Sequence, residues 1–140
     1  MKTIKKVQAI IYDLKDKKPY FLILHRVLRW KGWEPLKGTT RKGETRRQTL
    51  KREIGEETRL KNFKIIKSLG KKEKWEALGK KYAIVDIFLV RADMNEKVSL
   101  KQKVVEHDKY LWADKKTALK KLTWPKTKKI LKQIKEKSLN

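Results

Sequence analysis

Apolar positions fall into short runs separated by polar turns, and their spacing predicts both strands and helices. Val7 to Tyr12 and Tyr20 to Val27 are rich in β-branched and aromatic residues and predict two neighbouring strands. The polar stretch 14–19 between them, LKDKKP, predicts a hairpin with a loop of several residues. Leu28 to Lys37 places Trp30, Trp33 and Pro35 in one short approach to the next element, and the two tryptophans read as a packing cluster. From Thr45 to about Thr58 there is no proline and a single glycine, which predicts a helix; Leu50 and Ile54, one turn apart, form the stripe that docks it on a sheet. Phe63 to Leu69 predicts a strand, Gly70 to Lys74 a turn or short strand, and Tyr82 to Val90 a central strand. The segment Trp75 to Lys81 between them predicts a hairpin with a basic tip at Lys80 and Lys81.

Residues 93–103 are polar and loop-like, and Lys109 to Ala113 predicts a last short strand. Asp114 is placed to cap a helix from Lys115 to Leu122. Thr123 is placed to cap another, with Pro125 in its first turn, running to about Lys137 and carrying Ile130, Leu131 and Ile134 on one face. Strands on both sides of a central helix, followed by C-terminal helices, predict an α/β fold with a mixed sheet. The pattern leaves the strand order open.

At 140 residues the chain fits a single domain over 1–140 with room for one core and none for a second catalytic module. A formal charge of +24 predicts attraction to polyanions, whether nucleotides, RNA or anionic lipid. Lysine is spread along the chain, and a charged fraction of 40% also fits a protein of a heat-loving organism. With no cysteine, disulfides, thiolate zinc sites and cysteine nucleophiles are excluded. The apolar run Ala9 to Tyr12 is too short for a signal-peptide core, and no run approaches the roughly 18 apolar residues of a membrane span. A soluble cytoplasmic protein, monomeric and not associated with membrane, is expected.

Candidate chemistry concentrates in Gly38 to Leu60, GTTRKGETRRQTLKREIGEETRL. On the predicted helix Glu53 and Glu57 are four apart and Glu53 and Glu56 three apart, so all three carboxylates project from one side. Like charges at this spacing destabilise an isolated helix, so a cation is expected among them. Oxygen-only ligands suit Mg²⁺ or Mn²⁺, which keep several waters and bridge to phosphates. Arg52 is placed to reach Glu56 one turn on or to fold back toward Glu44. Most Glu/Arg-rich helices are solvated faces laced with ion pairs. Here, however, four of only 16 acidic residues, Glu44, Glu53, Glu56 and Glu57, fall in one stretch of a chain with 40 basic ones.

This stretch resembles the Nudix box: G, five residues, E, seven residues, R-E-U, one residue, E-E, one residue, G-U, with U bulky and aliphatic. Eight of the nine specified positions match, and Arg59 stands in place of the second glycine. The resemblance implies an α/β/α sandwich with the box as loop, helix, loop. It also implies metal-dependent hydrolysis by water of a nucleoside diphosphate linked to another group. Carried over position by position, Glu53, Glu56 and Glu57 would bind metal, with Glu53 or Glu57 also able to take a proton from water. Gly38 would offer its carbonyl, and Glu44 and Arg52 would orient the set. At Arg59, either the turn differs or left-handed strain is tolerated.

Two further segments resemble asymmetric diadenosine tetraphosphate hydrolases. Trp33-Glu34-Pro35-Leu36-Lys37-Gly38 is similar to their W-x-P-P-K-G, with Leu36 for the second proline and Thr39 for the usual following histidine. Glu106-His107-Asp108-Lys109-Tyr110-Leu111-Trp112 is similar to their E-H-x-x-Y-x-W. On this resemblance Lys37 would contact a phosphate, and Glu106 would be a further metal ligand or base, its alternative being a surface carboxylate. His107 reads as structural. Trp75, Lys81 and Tyr82 form an aromatic and cationic set able to stack a base and hold phosphate, with ordinary strand packing the alternative for Tyr82. The expected substrate is a dinucleoside polyphosphate cleaved to ATP and AMP. The alternatives are an RNA 5′-end pyrophosphohydrolase and a non-catalytic RNA-binding module, both prompted by the charge.

Overall fold

The structure is a computed structural model that describes residues 2–76 and 81–140, without the side chains of 2, 73–76, 81 and 82. Its strands are β1 (Lys2–Lys15), β2 (Lys18–Arg26), β3 (Gly32–Glu34), β4 (Leu36–Thr39), β5 (Phe63–Glu76), β6 (Lys81–Ala92) and β7 (His107–Asp114). Helix α1 (Arg46–Thr58) lies between β4 and β5, and α2 (Lys115–Lys121), α3 (Pro125–Gln133) and a 3₁₀ turn (Glu136–Leu139) close the chain.

One mixed sheet has the order β3-β2-β1-β6-β5, with β4 also pairing β1 and β7 also pairing β2. Strands β1 and β6 run parallel over Lys2–Tyr12, and the other pairings are antiparallel. Alternation along β1 sorts the core. Val7, Ala9 and Ile11 pack with Leu50 and Ile54 of α1, whereas Ile10 and Tyr12 pack with Ala118, Leu122, Ile130 and Leu131 on the other face. The result is the α/β/α sandwich, with α1 docked through the two residues its spacing singles out.

Several local expectations need correction. The first hairpin closes through only Asp16 and Lys17, because Lys15 pairs with Lys18 and both turn residues take positive φ, 53° and 65°, the geometry that matches strand twist. The approach to the box contains two short strands, β3 and β4, rather than one cluster, and its tryptophans diverge. Trp30 meets Trp124 edge-on with centroids 5.0 Å apart, while Trp33 meets the His25 ring at a 59° tilt with centroids 5.1 Å apart. Gly70 to Lys74 is neither a turn nor a separate strand. Strand β5 runs through it, with register shifts between Ile65 and Lys67 and between Ser68 and Gly70, and Gly70 takes φ 110° at the second. Helix α3 stops at Gln133, not near Lys137. Nor is Thr123 its cap: its hydroxyl accepts from the Trp33 amide at 2.9 Å, tying β3 down, and Trp124 holds the N-cap position without a side-chain bond. Among the described residues no helix is long and apolar enough to cross a membrane.

Candidate active site

Helix α1 is held at both ends by contacts its own sequence supplies. At the start, the Thr45 hydroxyl accepts from the Gln48 amide at 3.1 Å and the Gln48 side chain accepts from the Thr45 amide at 2.9 Å, a closed capping box. At the end Arg59 adopts φ 63°, ψ 12° and its amide donates to the Gly55 carbonyl, so the left-handed cap is kept without glycine. The loop 93–103 then covers the helix terminus: the Ser99 amide donates to the Thr58 carbonyl at 2.9 Å and the Gln102 amide side chain to the Glu56 carbonyl at 3.1 Å.

Arg52 organises the carboxylates. Its Nε and Nη2 grip Glu44 at 2.7 and 2.9 Å, Nη1 reaches Glu53 at 2.6 Å and Glu56 at 3.2 Å, and Nη2 also donates to the Thr39 carbonyl at 3.0 Å. Both readings of Arg52 therefore hold at once. The guanidinium, with the Arg41 amide, holds the Glu44 carboxyl down to about 2. Gly38 lies directly beside Glu53, and a Cβ on it would collide with the Glu53 side chain. Only glycine lets β4 approach α1 this closely.

Glu57 is the most constrained of the set. It is 3% exposed, its Oε2 is buried without a hydrogen-bond partner, and it bonds to Glu106. Burial first, then the bond to Glu106 and the charges of Glu53, Glu106 and Glu34, push its carboxyl up to about 11. Burial also raises Glu53, against the opposing effect of Arg52. Ligand atoms of Glu57, Glu106 and His107 all lie within 4.8 Å of one another. Glu53 is mostly buried on the same side, and Glu56 sits at the rim with a 43% exposed side chain, also 3.8 Å from Arg41. These carboxylates fit a divalent cation. An orphaned buried oxygen and carboxyls held too close to ionise together are what a hard cation would relieve.

Behind them lies a second buried network. Glu34, 1% exposed, accepts from Arg26 Nη1 at 3.1 Å, pairs with His107 Nε2 at 2.9 Å and stands 3.7 Å from Lys37 Nζ. Burial opposes its charge, but the His107 bond, Lys37 and Arg26 together hold its carboxyl below the usual range. His107 is thus structural in the sense expected, yet it reaches the site. Glu34 was not among the expected site residues. The signal available was its scarcity, as an acid inside the W-E-P-L-K-G segment of a chain so poor in acids.

Lys37, Gly38, Arg52, Glu53 and Glu106 line one cavity of about 1060 Å³, whose far wall is the start of α3, with Trp124 and Lys126. That wall comes from a segment remote in sequence from the box. Trp75, Lys81 and Tyr82, expected at the substrate site, have side chains outside the described residues. Chemically, the arrangement offers clustered carboxylates to cations on one side and a cationic, partly aromatic chamber to a phosphorylated ligand on the other.

The NUDIX domain family matches residues 3–134, and the chain belongs to it. That supports a Nudix hydrolase acting on a pyrophosphate substrate, a class that generally uses divalent metals such as Mg²⁺ or Mn²⁺. Among solved structures, the chain is similar to a C. elegans Ap4A hydrolase in a binary complex, with 25% identity, TM-score 0.77, and 97% of this chain and 96% of that one covered. The MutT protein from Methanosarcina mazei Go1 shares 22% identity, with TM-score 0.74 and coverage of 94% and 92%. The NUDIX domain of Shewanella oneidensis NrtR, complexed with ADP ribose, shares 12% with TM-score 0.77 and coverage of 100% and 90%. These last two are similar in fold alone. A sequence search of curated proteins finds no match.

Proposed function

We propose that residues 1–140 form a single, monomeric Nudix hydrolase domain working in the cytoplasm on a dinucleoside polyphosphate, with diadenosine tetraphosphate and water giving ATP and AMP. The observation that carries this is Glu57: a buried carboxylate with an orphaned oxygen, bonded to Glu106 and packed near Glu53, behind the wall of a cationic chamber.

In this reading Glu53, Glu56, Glu57 and Glu106, with the Gly38 carbonyl, hold Mg²⁺ or Mn²⁺. Bound there, the ions neutralise phosphate oxygens and lower the pKa of a water. The chain's residues do the rest. Lys37 and Arg41, both lining the chamber, bind phosphate oxygens. Arg52 and Glu44 lock Glu53 and Glu56 in place, so the ligand set is preorganised. Glu57, whose Oε2 has no protein partner, would take a proton from the attacking water once a cation holds its carboxyl ionised, Glu53 being engaged by Arg52. Similarity to the Ap4A hydrolase and the two flanking segments support the choice of substrate; Thr39 in place of the histidine is the departure from it.

The test is hydrolysis of diadenosine tetraphosphate with Mg²⁺ or Mn²⁺, resolving products by chromatography. Equimolar ATP and AMP are expected, and loss of turnover by at least about 100-fold in Glu57→Gln with the fold retained. No turnover at micromolar enzyme overturns the reading. A second reading, an RNA 5′-end pyrophosphohydrolase, is favoured by the net charge of +24. Triphosphorylated RNA offered against the dinucleotide separates the two. An unchanged Glu57→Gln activity would instead remove the metal assignment, whereas RNA binding with no hydrolysis of either substrate by the wild type would favour a non-catalytic RNA-binding module.

A further inference from the structure

One polar side chain in the chamber is used by nothing described so far. Gln8 lies in the middle of β1, the strand at the centre of the sheet, and is 5% exposed. Alternation puts it on the face of Ile10 and Tyr12, toward α3, and it lines the chamber. Its strand partners are Ile87 on β6 and Lys37 on β4. No hydrogen bond to its side-chain amide exists among the described residues, although every neighbouring core position on β1 from Val7 to Tyr12 is apolar. Gln8 is not among the fully buried orphaned groups, so its amide opens onto the chamber, where its donor and acceptor are available for a ligand or water to complete.

We propose that Gln8 reads the edge of an adenine base, so that the nucleotide lies on the sheet with its base over β1. This rests on the nucleotide hydrolase reading above and names its base-specific residue. An amide presents one acceptor beside one donor. Adenine presents the complement, its N6 amine beside a ring nitrogen, and glutamine pairs with it through two bonds. Val85 on β6 and Ile130 on α3, both lining the chamber, give the base faces apolar contact. Lys37, in register with Gln8 on β4, leads from the base toward the carboxylates, so the phosphates run in the direction of Glu53 and Glu106.

The discriminating change is Gln8→Glu. A carboxylate beside Lys37 is acceptor-only, which removes the donor that adenine's ring nitrogen needs and suits guanine, whose N1–H and N2 amine are adjacent donors. Hydrolysis of diadenosine and diguanosine tetraphosphate is measured for the wild type, Gln8→Glu and Gln8→Leu, alongside calorimetric binding of AMP and GMP, with circular dichroism to verify folding. The wild type is expected to favour adenine by about tenfold, Gln8→Glu to reverse the preference, and Gln8→Leu to abolish it with the loss appearing in KM. Adenine-to-guanine ratios the same in all three proteins overturn the role of Gln8. A wild type that hydrolyses neither dinucleotide overturns the activity instead, and the AMP and GMP arm then still decides Gln8. Should Gln8→Glu fail to fold, Gln8→Leu carries the test by itself.

Discussion

Arg59 holds a left-handed backbone conformation that costs a residue with a Cβ on the order of 1 kcal/mol. The helix terminus tolerates it because the cap amide still reaches Gly55 and the following Leu60 is buried at 2% exposure, which fixes the chain's exit. Arg59→Gly is therefore expected to raise stability by about 0.5–1 kcal/mol in urea denaturation while leaving hydrolysis intact; an unchanged or lower midpoint would show that the arginine is not strained. Glu57 makes the opposite kind of residue-scale prediction. Its folded carboxyl, near 11, lies above the ordinary 4.5, so the folded state binds the proton more tightly. That contribution is full below about 4.5 and is lost as pH rises toward the folded value. In EDTA, the melting temperature is expected to fall from pH 5 to pH 8, with Glu57→Gln more stable at pH 7.5 and flatter across the range. A wild-type melting temperature that rises over this window would contradict the buried carboxylate.

At the scale of elements, α1 depends on its ends more than on its composition. Its first turn carries no acidic residue and its last turn no basic one, so the macrodipole receives no help from side chains there. The capping box therefore matters. Thr45→Ala is expected to cost about 1 kcal/mol by denaturation, and to weaken catalysis by loosening the helix that presents Glu53 and Glu57. An unchanged midpoint would mean that packing of Leu50 and Ile54 alone holds the helix. The capping box, the apolar stripe and the three-and-four spacing of the glutamates are all local, and all are legible in the sequence. Strands β3 and β4 are not. Each is only three or four residues, too short to show alternation, and each exists because an already formed strand, β2 or β1, offers it an edge. The tight Asp16-Lys17 turn escaped for a related reason: strand pairing, not turn propensity, drives two non-glycine residues to positive φ.

At the scale of the whole molecule, the chamber collects cations from β1, β2, β4 and α3, while carboxylates face it from α1 and from Glu106 just before β7. A tetraphosphate entering it is drawn by a long-range field that salt screens over roughly 10 Å at 0.1 M. KM for diadenosine tetraphosphate is expected to rise severalfold between 50 and 500 mM KCl, as set in the assay, with little change in kcat. A salt-independent KM would place binding on short-range contacts instead. Such a field suits any polyphosphate, which is why charge alone does not separate a dinucleotide from an RNA 5′ end.

The amino-acid order by itself determined the catalytic helix and its carboxylate spacing, the strands long enough to alternate, and the box that marks the chain as a Nudix protein. Those features depend on residues within a turn or two of one another. Glu106 was expected at the site from its segment's resemblance, but only the tertiary structure brought Glu34 and His107 there, and Gln8 to the chamber, because burial and the pairing of distant strands set which polar groups are desolvated. A carboxyl pushed to about 11 is a property of its surroundings, and those surroundings come from three separate segments of the chain: α1, Glu34 of β3 and Glu106-His107.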